Sequence, residues 1–282
     1  MNMPSTSRPH RPNSSELDYF QDRAEGLATA YGDSMPGVAE GVRAVYPEIG
    51  DAENLSVEAA QTVLAREHGF GTWDGLAQRL AAIRQGEVEE PFIAAFEAIK
   101  SGDMATLQEA LASDPGIADA PSTNGNNLLG LACSFRHHDM VRLLLHSGAD
   151  VNSGNRYGWT SLHQAGYSNN CELAEILLAA GARTDLYGRG DGGTPLVMAL
   201  FWGHRDAADL LKAHGLVPHN LRVAAGAGAV AMVESFFNPD ESLKPEAGAA
   251  RGFYRPHGGF PHWTPQHEPQ EILDEAFVYC IT

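Results

Sequence analysis

The chain has 282 residues, 43% hydrophobic and 20% charged, an ordinary mixture for a soluble protein with room for a repeat domain and a small second domain. Its 36 acidic and 19 basic residues give a net charge of −17. Such a surface repels nucleic-acid phosphates and anionic lipid heads, which argues against nucleic-acid and membrane partners and leaves a neutral or basic one; the same charge also keeps a protein soluble.

Residues 1–14, rich in Ser, Pro, Asn and Arg, read as a disordered tail with no apolar core of a signal peptide. Residues 15–87 read as a helical module. Leu17, Phe20, Ala24, Leu27 and Tyr31 share one helical face, and a second helix follows the Gly32–Asp33–Ser34 break. Ser56 and Thr72 stand as N-caps of a third and a fourth helix, and Gly69 stops the third. The charged stretch Arg84–Glu90 reads as a linker.

From residue 88 onward an internal repeat dominates. Segments starting at Gly125, Gly158 and Gly192, 33 and 34 residues apart, fall into one register. Leu129, Leu162 and Leu196 align, as do Ala132, Ala165 and Ala199, and Gly148, Gly181 and Gly215. The small Ala positions allow close helix packing. The pairs Leu143–Leu144, Ile176–Leu177 and Leu210–Leu211 fill the space between repeats. The aligned glycines suit left-handed helix ends, and Thr160 and Thr194 suit N-caps.

The Thr160–His163 stretch, Thr194–Leu196, Gly203–His204 and Gly148–Asn152 resemble the ankyrin repeat. Weaker copies start at Pro91 and Asn220, and Glu271–Thr282 resembles the first helix of a further unit that stops before its partner helix. Ile272, Leu273, Phe277 and Val278 are therefore expected to fray or to pack through the preceding insert. Leu55–Leu80 is similar to a small helical module that precedes ankyrin repeats in some bacterial proteins, which implies a bacterial source. The resemblance implies an all-α ankyrin-repeat solenoid over 88–282, preceded by the helical module.

Several motifs invite chemistry. Gly226–Ala231 satisfies G-x-G-x-x-A, but the preceding LRVAA fits a repeat helix rather than the strand a dinucleotide site requires. Gly188–Gly193 lacks the Lys-Ser/Thr ending of a phosphate loop and reads as a turn between repeats. Of twelve histidines, His163 and His204 occupy the repeat's own positions and are expected to link neighbouring repeats. Cys133, Cys171 and Cys280 match no zinc spacing and read as free thiols in a reducing cytoplasm. No nucleophile, cofactor site or metal site is assigned.

Residues 238–268 interrupt the repeats with an insert rich in aromatic and histidine side chains. His257, His262 and His267 could reach a zinc ion, but no nearby Cys completes a set. Partner-contacting candidates are Phe135, Tyr167, Phe201 and Trp202 at inner-helix ends, Tyr157 and Trp159 at a loop tip, and Tyr254, Arg255, His257 and Trp263 in the insert. Tyr, Trp, Phe and Arg are the usual interface anchors. The leading function is a scaffold that binds a protein through the concave ankyrin face, the loop tips and the insert. The alternative is an enzyme or small-molecule binder with a pocket between the groove and the insert.

Overall fold

The computed structural model describes residues 9–34, 38–123, 125–155, 158–188, 192–251 and 268–281. Among these the secondary structure is helical, and the extended pairings are isolated bridges. The chain divides into two compact units, Met1–Asp150 and Val151–Thr282.

The first unit opens with α1 (Leu17–Gly32), α2 (Val38–Val45), α3 (Val57–Glu67) and α4 (Trp73–Arg84). Helical spacing in α1 buries Phe20, Ala24, Leu27 and Tyr31. Ala24, Leu27 and Tyr31 pack with Val38, Val42, Leu55, Val63 and Leu64, whereas Phe20 joins Ala65, Leu76 and Leu80. The caps fall where the sequence places them. Ser56 Oγ accepts from the Ala59 N–H and Thr72 Oγ1 from the Gly75 N–H. The same unit continues with α5 (Pro91–Ser101), α6 (Met104–Ser113), a 3-10 turn (Pro115–Asp119), α7 (Leu128–Ser134) and α8 (His138–His146).

Two stretches read as loose in the sequence are anchored at described residues in this unit. Residues 1–8 lie outside the described residues, but from Pro9 the chain is docked rather than loose. The His10 N–H donates to Glu67 O at 2.7 Å and the Arg11 N–H to Pro121 O at 2.7 Å, while Asn13 is buried. The expected linker is also tied down. Glu90 is buried and its carboxylate pairs with Arg11 and Arg79. Both anchors share one group: the Glu90 carboxylate, just ahead of α5, meets Arg79 of the preceding α4 and Arg11 from 79 residues away, and composition does not show the second pairing. His68 adds a second tie, with Nδ1 2.7 Å from Leu64 O and Nε2 3.1 Å from Thr123 Oγ1. Burial pushes its pKa down to about 4.

The second unit holds three helix-turn-helix pairs: α9 (Ser161–Tyr167) with α10 (Cys171–Ala179), α11 (Pro195–Phe201) with α12 (Arg205–His214), and α13 (Leu221–Gly226) with α14 (Val230–Glu234). The Ala and Leu register is the core. Ala165, Ala199, Leu162 and Leu177 are fully or almost fully buried, and Ala132, Leu129 and Leu144 do the same in the first unit. Gly148 and Gly181 are left-handed, with φ of 93° and 87°. Gly215 departs from the pattern. Its φ is −145°, and what demands a glycine there is Thr184, whose Oγ1 would lie 2.4 Å from an added Cβ. The G-x-G-x-x-A stretch forms the end of α13 and the turn into α14, as the repeat reading requires.

The chain closes on α15 (Pro269–Ile281), which packs chiefly on α13. Ile272, Ala276 and Tyr279 form its buried stripe, whereas Phe277 and Val278 are exposed. The stripe has i, i+4, i+7 spacing; of the four apolar residues expected to fray or to pack through the insert, Ile272 and Leu273 join the cluster that holds Ala247 of the insert, whereas Phe277 and Val278 face out. The described part of the insert supports this helix. Ala247 joins Leu221, Phe236, Ile272 and Ala276 in one cluster. Arg251, almost fully buried, grips Glu275 of α15 with Nε and Nη2 at 2.8 and 2.5 Å.

Candidate functional site

The inner helices of the second unit are short because both ends are fixed. At α11, Thr194 Oγ1 accepts from the Val197 N–H and Pro195 occupies the first turn. Gly203, with φ of 68°, follows the C-cap Trp202. At α9 the C-cap is Ser168, followed by Asn169 with φ of 47°. These abrupt stops deliver Tyr167, Phe201 and Trp202 at the helix ends, beyond the buried Ala and Leu positions.

The rings form a continuous series. Trp159 lies 6.0 Å from Tyr167 and Tyr167 5.5 Å from Trp202, both edge-to-face. Trp202 meets Phe201 at 5.2 Å, again edge-to-face. Phe201 meets Tyr279 of α15 at 6.2 Å, and the Arg222 guanidinium stands 5.5 Å over the Tyr279 ring. These spacings are those of favourable aromatic pairs. Tyr167 and Trp202 are 43% and 47% exposed, whereas Trp159 and Phe201 are half-buried and Tyr279 is buried. Trp159 is held from behind: its ring stacks on His163 at 5.4 Å and its Nε1–H donates to Gln164 Oε1 at 3.4 Å.

The histidines are structural links. His163 is fully buried. Its Nδ1 accepts from the Thr160 N–H at 3.1 Å and its Nε2 bonds Gly193 O at 2.9 Å. Burial pushes its pKa down to about 4, against the opposing effect of its backbone hydrogen bonds. His204 Nε2 bonds Tyr167 O at 2.9 Å, and Asn169 Oδ1 accepts from the Ala207 N–H at 3.2 Å. The backbone that carries Tyr167 is thereby fixed to the repeat that carries Trp202. Acidic groups stand on the neighbouring outer helices: burial first, then Asp206 and Glu175, raise the Cys171 thiol pKa.

The structure therefore brings four of the expected residues together: Trp159, Tyr167, Phe201 and Trp202. Phe135 lies in the first unit, 45% exposed and stacked on His137 at 6.1 Å. Tyr157, Tyr254, Arg255, His257 and Trp263 lie outside the described residues. Tyr279 was not expected at the site; the i, i+4, i+7 stripe of α15 is the signal that could have found it. Beside it, a cavity of about 220 Å³ is lined by residues that include Leu200, His204, Lys212, Gly226, Tyr279 and Cys280. Among the described residues no group of three or more His, Cys, Asp or Glu side chains could hold a metal ion. No helix among them is long and apolar enough to cross a membrane.

Comparison with known proteins fits this geometry. Residues 95–188 match the family model for ankyrin repeats in three copies. The protein carries ankyrin repeats. That stretch runs from within α5 to the turn that follows α10, and α11–α12 repeat the same cap, turn and leucine positions beyond it. The chain is 38% identical over 122 residues to the E3 ubiquitin-protein ligase Ufd4 of Drosophila melanogaster, covering 42% of this chain and 4% of that protein. It is 32% identical over 93 residues to the Protein fem-1 homolog A-like of Mus musculus, covering 33% and 14%. It is 32% identical over 120 residues to the Probable E3 ubiquitin-protein ligase XBOS32 of Oryza sativa subsp. japonica, covering 41% and 24%. The chain thus spans less than a quarter of the length of each of these relatives. Ankyrin repeats are a general protein–protein interaction module.

Proposed function

We propose that the protein is a cytoplasmic scaffold that holds a protein partner against the aromatic series of its second unit, with Trp202 and Tyr167 as central anchors. The observation that carries this reading is the exposed edge-to-face pair at 5.5 Å, set at the ends of two adjoining inner helices. Rings held by one another and by the His204–Tyr167 link lose little freedom on binding, so their burial converts efficiently into affinity. Trp159 and Phe201 flank the anchors. Tyr157, Tyr254, Arg255, His257 and Trp263 extend the proposed surface, and Phe135 supplies a separate contact in the first unit. The acidic balance favours a neutral or basic partner.

The test is affinity capture from native lysate with the full chain and with a Trp202→Ser/Tyr167→Ser variant, read by quantitative mass spectrometry. At least one protein should be enriched tenfold or more by the wild type over the variant, with helical content equal in both. Identical captured sets from two equally folded proteins would overturn the assignment of the anchors.

A further inference from the structure

The docked N-terminal segment has the geometry of a bound peptide. Residues 9–13, Pro-His-Arg-Pro-Asn, belong to no helix and lie against the end of α3, the start of α5 and the turn that follows α6. Two backbone carbonyls, Glu67 O and Pro121 O, accept from successive N–H groups of the segment, and Arg11 pairs with Ser122 as a parallel bridge. The Arg11 guanidinium reaches two acids at once. Nη1 donates to Glu90 Oε1 at 3.2 Å, and Nη2 pairs with Asp114. The Glu90 side chain is 2% exposed. Pro9 meets Gly69 and Pro12 is buried. A cavity of about 550 Å³ runs along the segment, lined by residues that include Pro9, Arg11, His68, Phe70, Arg79 and Glu90. Backbone pairing for affinity plus a charged pocket for one side chain is how a protein reads an extended peptide. The flanking prolines hold such a peptide extended in advance.

We propose that this groove is a binding site for short, extended Arg-Pro peptides, and that residues 9–13 of the chain are its resident ligand. The arm sits there in cis, so its effective concentration is on the order of millimolar and a free peptide competes poorly. Weakening the arm opens the site. The occupant is selected by Arg11, because Glu90 and Asp114 lose their shared partner without it.

The test uses the full chain and a fluorescent peptide of residues 8–15. The peptide should bind the full-length Arg11→Ala protein at least tenfold more tightly than the wild type, whose groove is filled. A peptide carrying Ala in place of the same arginine should bind the Arg11→Ala protein at least tenfold more weakly than the natural peptide. Equal binding to both proteins, or no binding to either, would refute the proposal. Amide exchange on the unmodified wild type keeps the question decidable if the variant does not fold. The His10 and Arg11 amides should be protected, and an excess of free peptide should accelerate their exchange severalfold as the arm is displaced. Unprotected amides, or protection that the peptide leaves unchanged, would refute it equally.

Discussion

Lowering the pH from 7.5 to 5.5 perturbs the second unit at one buried atom, Nδ1 of His163. That nitrogen accepts the Thr160 N–H at 3.1 Å, while Nε2 bonds Gly193 O at 2.9 Å. A proton on Nδ1 would set donor against donor at the cap of α9, inside a fully buried site. The folded-state pKa is accordingly depressed from 6.5 to about 4, with burial as the main cause. The unfolded chain takes up the proton near 6.5, which the folded chain refuses. The stability tied to neutral His163 is therefore complete above 6.5. It falls as the pH drops from 6.5 toward about 4, and no more is lost below that. The full loss amounts to about 3 kcal/mol, of which somewhat less than half, about 1 kcal/mol, has gone by pH 5.5.

Urea unfolding of the wild type and of His163→Gln at the two pH values isolates this contribution. His68, also depressed to about 4, is common to both proteins and cancels. Staying above pH 5 keeps most carboxylates ionised. Tryptophan emission follows the transition, since Trp159 stacks on the His163 ring at 5.4 Å. The variant should be less stable at pH 7.5 but less sensitive to acid, by about 1 kcal/mol between the two conditions. Equal pH dependence in the two proteins, or an imidazole titration of His163 centred near 6.5, would refute the reasoning.

Leu144→Ala and Leu177→Ala each empty a fully buried site and should each lower unfolding free energy by about 2–5 kcal/mol in denaturant melts. A negligible cost at both would contradict the repeat register. Gly181→Ala meets open space but a left-handed backbone, and should cost roughly 1–2 kcal/mol in thermal melts. Gly215→Ala has an ordinary backbone but a Cβ against Thr184; its loss should be partly recovered by adding Thr184→Gly, a rescue that Gly181→Ala should not show.

The helix-forming part of the fold was legible because its signals are local. A cap and its N–H lie three residues apart, as at Ser56 and Thr72, and the 33-residue register carries the buried Ala and Leu positions. The arm was not legible, because Arg11 finds Glu90 79 residues away and Asp114 103 residues away, and no periodicity marks such a pair. Composition alone made those residues look loose. Gly215 shows a subtler limit. A glycine in the right register was read as a helix terminator, while its conformation is ordinary and a neighbouring threonine excludes a side chain there. The clustering of Tyr167, Phe201 and Trp202 has a simple reason: the turns that end α9 and α11 set where these rings emerge.

Whether those rings serve packing or recognition can be argued from the register itself. The core positions repeat in kind: Ala132, Ala165 and Ala199 are all fully buried. The helix-end positions do not. The three C-caps are Phe135, Ser168 and Trp202, and the residues before them are Ser134, Tyr167 and Phe201. A repeat that closes its helix with Ser168 does not need a ring there to pack, so the indole of Trp202 is an addition to the fold. Its 47% exposure says the same. Trp202→Ser installs the residue this chain already uses one repeat earlier. It should change unfolding free energy by little more than the edge-to-face contacts with Tyr167 and Phe201, about 1 kcal/mol. Partner retention should fall tenfold or more in the same protein. A loss of 3 kcal/mol or more in the melt, with partner retention intact, would make Trp202 a packing residue and move the binding face elsewhere.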